Sequence, residues 1–180
     1  MWLHRPRVRT NGFYCMATEW LKPAVHDMWG GVEPSVHTLK CQSFRYFRFF
    51  ADGTVLYCLT HRPPERMAKV LAHRDSAAAA TAAAAAARNH MREGKEPPPA
   101  VVKGTFSLHQ DGVFVAVRSH YNVVKFTLKL THGFRGHFSR LKITRHTSHG
   151  KSAAPGSAPV YHPETIGYSF FFWRSYPGML

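Results

Sequence analysis

The sequence predicts an all-β domain, an antiparallel meander closing into a barrel. Three observations predict it. Apolar and polar side chains alternate with a period of two, as in Val124, Phe126, Leu128 and Leu130 against Val123, Lys125, Thr127 and Lys129. That is the pattern of a strand with one buried face. Asp-Gly dipeptides separate such runs at Asp52-Gly53 and Asp111-Gly112. Glycine reaches positive φ there without steric cost, which favours a hairpin. Aromatic residues make up 13% of the chain, and rings pack well on a pleated surface.

Taken in order, the chain opens on a strand-and-turn segment from Arg5 to Tyr14. Phe44 to Phe50 is aromatic on both faces, as expected of a central strand, and Ala51-Asp52-Gly53 turns it into Thr54 to Thr60. Pro63-Pro64-Glu65 then opens a different kind of segment. Arg66 to Arg74 can form a short helix, and Ala77 to Ala87 is alanine except for Thr81. Alanine is the best helix former, but this run has no large side chain to dock. Residues 63–100 therefore read as a low-complexity insertion, partly helical and partly disordered, within a single domain spanning 1–180.

Strands resume at Thr105 to His109, turn at Gln110-Asp111-Gly112, and continue from Val113 to Ser119. Val113 to Arg118 is apolar on both faces until its end, so it is expected in the centre of a sheet. Ser119-His120-Tyr121-Asn122 turns the chain again. Leu141 and Ile143 alternate with Arg140, Lys142 and Thr144. Lys151 to Pro159 is a second loop, and Phe170 to Trp173 reads as a last strand closing the sheet. Eight to nine strands joined by tight turns favour closure, which limits exposed edges.

Composition narrows the function. The formal charge is +14, from 24 Lys and Arg against 10 Asp and Glu. Gly112 to Pro163 contains no acidic residue and carries eight bases. Such a field attracts polyanions and acidic protein surfaces. The side chains expected to meet a partner are Lys125, Lys129, Arg140, Lys142 and Arg145. If their two strands are neighbours, a positive patch forms on the outer wall. Cys15, Cys41 and Cys58 are odd in number and widely spaced, which points to reduced thiols rather than a disulfide scaffold or a zinc ribbon. A cytoplasmic or nuclear setting is expected. No apolar run of about 18 residues is present, so no membrane span and no membrane partner are expected.

No Gly-x-Ser-x-Gly elbow, P-loop or His-Glu-x-x-His occurs, and no local pattern assembles Ser, His and Asp, so no catalytic residue, enzyme activity or cofactor is expected. The 13 histidines invite a metal. Yet His146 and His149 would point to opposite faces of a strand, and no metal ligand is expected. Arg45 and Arg48, interleaved with the Phe44 to Phe50 rings, could serve a base-stacking platform. A core strand explains the rings better.

Three segments carry a resemblance. Arg7, Arg9, Gly12 and Tyr14 follow one motif; Arg45, Tyr46, Arg48, Phe49, Phe50, Asp52 and Gly53 follow a second; Phe172-Trp173-Arg174-Ser175-Tyr176 follows a third. Trp20 and Trp29 lie between the first two. In this order they resemble the C-terminal domain of the F-box only protein 9 family, with Ala51 where that family usually has proline. The resemblance implies a substrate-recognition end of an SCF ubiquitin-ligase receptor, acting in ubiquitin-dependent degradation. In that family an F-box precedes the domain and recruits the ligase adaptor. This chain is expected to begin at the C-terminal domain, so adaptor docking is implied only where an F-box is supplied elsewhere. The expected partner is a protein substrate, acidic or phosphorylated. A basic nucleic-acid-binding β domain is the alternative. A lipocalin-like carrier, with a calycin-like barrel holding a small ligand, is another.

Overall fold

Among the described residues of the computed structural model, eight antiparallel strands close into a barrel, with one short helix packed outside it. The structure describes residues 7–23, 38–72, 99–110, 112–119, 122–134, 136–151 and 158–174. The elements are β1 (Gly12–Pro23), β2 (Thr38–Phe49), β3 (Thr54–Thr60), α1 (Pro64–Ala72), β4 (Val101–His109), β5 (Gly112–Arg118), β6 (Asn122–Gly133), β7 (Gly136–Gly150), β8 (Val160–Tyr161) and β9 (Ser169–Arg174). A short 3-10 turn at Pro163–Thr165 joins the last two strands. The alanine run, and Arg74 at the end of the expected helix, lie outside the described residues.

The strands pair as a meander from β1 to β7, and β9 closes the ring between β1 and β7. Strand β7 is long enough to pair with β9 through Arg140–Lys142 and with β8 through Thr147 and Ser148 on the same edge. At the Asp52-Gly53 turn, Gly53 takes φ +83°, and the Asp52 carboxylate accepts hydrogen bonds from the Thr54 N–H and hydroxyl. That is the turn chemistry the sequence implies.

Two cores explain why β2 is aromatic on both faces. Phe47 and Phe49 point into the barrel, where the Phe47 ring lies 5.2 Å from Phe126 and 4.8 Å from Phe170. These rings pack against one another across the barrel interior, where a lipocalin-like carrier would need its cavity. Phe44 and Tyr46 point outward into a second core, closed by Met67 and Leu71 of α1. Both helix residues are fully buried, each contributing about 2 kcal/mol of apolar burial. The rings of β2 are core, and none is left as a stacking platform.

Strand β5 departs from its reading as a central strand with two buried faces. Val113, Val115 and Val117 are buried, but Phe114 is 44% exposed on the outer wall. The apolar pattern hid an exposed ring that the register places beside Thr127 of β6.

Candidate partner-binding groove

The outer faces of β4, β5, β6 and β7 form a groove of about 780 Å³. Arg118 of β5, Lys125 of β6 and Arg145 of β7 line it, with Thr105, Thr127 and the Phe114 ring. Strand alternation explains the set. Phe126 and Leu128 are buried, so Lys125, Thr127 and Lys129 must face out.

A bulge in β7 completes the wall. Thr127 pairs with Arg145 and Leu128 with Ile143, so Thr144 is the extra residue. Its hydroxyl donates to the Thr127 carbonyl at 2.9 Å. The bulge resets the alternation, so Arg140, Lys142 and Arg145 are all exposed although 142 and 145 differ by an odd number. Lys129 pairs directly with Lys142 across the ladder, and Thr131 with Arg140. Arg140 donates from Nε to the Ser169 hydroxyl at 3.0 Å and lies over the Phe171 ring at 5.6 Å. All five expected basic residues thus fall on one continuous wall, divided between two ends. Lys125 and Arg145 line the groove, joined by Arg118. Lys129, Arg140 and Lys142 lie toward the β6–β7 turn.

The inner face near β8 holds a polar chain that sequence reasoning missed. The Ser148 hydroxyl meets His162 Nε2 at 2.8 Å, and His162 Nδ1 meets Glu164 Oε1 at 3.1 Å. The His162 ring stacks on His146 at 4.4 Å, and His146 stacks on Phe126 at 4.3 Å. Thr165 bonds His146 Nδ1 at 3.0 Å. Burial first, then the neighbouring His162 and Arg45 charges, lowers the His146 pKa to about 4. His146 is therefore a neutral ring that ties the 3-10 turn to the barrel. Ser148 is laddered to strands on both sides, which fixes its backbone beside the 3-10 turn.

His132 and His137 approach at 3.3 Å beside the β6–β7 turn. Among the described residues, no three His, Cys, Asp or Glu converge on a metal-sized site. Cys15 and Cys58 are buried, and burial pushes both thiols up to about 12, which keeps them protonated. Motif residues become ties of the frame. Arg48 Nη1 donates to the Gly12 carbonyl, and the Tyr46 hydroxyl donates to the Arg62 carbonyl at 2.7 Å.

The model of the F-box only protein C-terminal region matches residues 1–160. The chain belongs to this family. No curated protein and no solved structure matches it. The matched span ends at the start of β8, yet the F-box only protein C-terminal domain described here is closed by β9, beyond the match. Family membership fits a non-catalytic receptor or adaptor engaged in protein–protein interaction.

Proposed function

We propose that this domain is a non-catalytic recognition module, acting at the substrate end of an SCF-type ubiquitin-ligase receptor in ubiquitin-dependent protein degradation. The observation that carries the reading is the groove. Arg118, Lys125 and Arg145 converge from three adjacent strands around hydroxyls and the Phe114 ring. Arginine and lysine so placed suit an acidic or phosphorylated segment of a protein substrate, through charge-assisted hydrogen bonds. An apolar side chain beside the acidic group would pack on Phe114. Residues 1–180 act as one such domain in the cytoplasm, and the ligase adaptor joins it through an F-box.

The test is affinity purification of the nuclease-treated chain from cell extract, followed by mass spectrometry, in parallel with an Arg145→Glu, Lys125→Glu variant. Expected are acidic or phosphorylated proteins that phosphatase treatment or the variant removes, together with ligase subunits. An identical set of captured proteins from the variant would sink the groove. Absence of adaptor and cullin would remove the ligase part. Capture only of nucleic acid before nuclease treatment would favour the basic nucleic-acid-binding alternative.

A further inference from the structure

Strands β6 and β7 end in a tight turn closed by the Gly133–Gly136 pair. Gly136 takes φ +103°, open to glycine at no steric cost. Phe134 stands at this apex and is fully exposed. On the outer face below it lie Arg140, then Lys129 paired with Lys142. Phe171 of β9 is 48% exposed beside Arg140. No acidic residue occurs anywhere from Gly112 to Pro163.

A phenylalanine ring at the apex of a turn is costly to leave in water. The described charged side chains on the two strands below it are all cations, so the complementary surface is anionic. A base-stacking platform sets rings in line along a sheet face. Phe134 instead stands off the sheet, at the end of a protruding hairpin. The interface of an anionic bilayer meets both requirements, since an apolar group can bury roughly 5–10 Å deep while cations stay at headgroup level. At about 3.4 Å per residue, Arg140 stands about 7 Å from the turn and Lys129 with Lys142 about 14 Å. Tilting the hairpin onto its outer face brings all three to the headgroups as the ring enters.

Against the expectation of no membrane partner that the lack of a long apolar run gave, we propose that the β6–β7 hairpin is a peripheral membrane anchor, inserting Phe134 into an anionic lipid surface held by Lys129, Arg140 and Lys142. Phe171 settles against the same interface beside Arg140. The anchor uses the end of the basic wall away from the groove and does not depend on the partner reading.

The full chain is incubated, after nuclease treatment, with vesicles of phosphatidylcholine alone or of phosphatidylcholine and phosphatidylserine in equal parts, and the vesicles are pelleted. The chain is expected to pellet with the serine-lipid vesicles only, and to be released as salt rises through about 0.5 M. Phe134→Ser is expected to weaken partitioning about tenfold. The Lys129→Glu, Lys142→Glu pair is expected to abolish it. Circular dichroism and thermal melting confirm that each variant is folded. Failure to pellet with the anionic vesicles at low salt would overturn the anchor. So would a folded Phe134→Ser chain that binds as tightly as the parent. Equal binding to both vesicle types would also sink the role given to the cations. Capture of acidic peptide in the groove, measured on the same variants, is expected to persist, so loss of the anchor leaves the partner reading standing.

Discussion

The Tyr14 hydroxyl donates a 2.7 Å hydrogen bond to the Phe138 carbonyl, joining β1 to β7 across the barrel interior behind β9. The same oxygen accepts from the Arg9 N–H at 3.1 Å. Burial is the main reason that the phenol is pushed up to about 12, so it remains a donor at any ordinary pH. Replacing Tyr14 by Phe keeps the ring contact with Phe172 but leaves a carbonyl and an N–H unpaired. A loss of about 1–3 kcal/mol is expected from urea unfolding. An unchanged midpoint would show that water or a shifted backbone replaces the bond.

Gly12 occupies the closing seam. A Cβ there would lie 2.0 Å from the Trp173 carbonyl oxygen and 2.5 Å from the Phe172 ring. Backbone cannot yield at that distance without parting β1 from β9. Gly12→Ala is expected to cost roughly 3 kcal/mol or more and to speed hydrogen exchange in β9 first. Uniform exchange across all strands would show that the seam has no special role.

Met67→Ala tests the outer core. Met67 is fully buried against the outward face of β2 and β3. A loss of about 2–5 kcal/mol is expected, concentrated in α1 and β3 rather than in the barrel interior. Exchange rates of α1 that match the parent would show that the helix docks without this side chain.

His146 sets a pH limit. Its folded pKa of about 4 lies below the ordinary 6.5, so the unfolded chain takes up the proton first. Its contribution is complete above about pH 6.5 and is lost as pH falls toward 4, at most about 3 kcal/mol. His146→Gln is expected to be less stable at neutral pH and to show a flatter decline over that window. A parallel decline in parent and variant would assign the acid sensitivity to other groups.

Much of the barrel could be read from side-chain alternation, because the outer half of β6 and β7 faces water. Lys125 and Lys129 against Phe126 and Leu128 leave little choice of face. The turn at Asp52-Gly53 was equally plain. What stayed hidden depended on pairing. Phe114 looked like core because β5 is apolar throughout, and only its place opposite Thr127 shows which face carries it. The docking of Met67 and Leu71 was masked by the alanine-rich sequence that follows α1. The Ser148–His162–Glu164 chain joins a strand to a turn beyond the Lys151–Pro159 loop, so no local motif could reveal it. The Thr144 bulge also left no sequence signal, yet it decides that Arg145 faces the groove.

Closure by β9 has a consequence for the protein during its synthesis. Strands β1 to β7 can zip together in the order they leave the ribosome, each onto its predecessor. The other edge of β1, which pairs with β9 through Gly12–Cys15, has to wait for a partner that follows every other strand described. At translation speeds of about 5–20 residues per second the wait is on the order of ten seconds or more. Throughout it, the nascent chain presents an unpaired strand beside apolar rings, so a chaperone has its main opportunity there, before the ring is sealed.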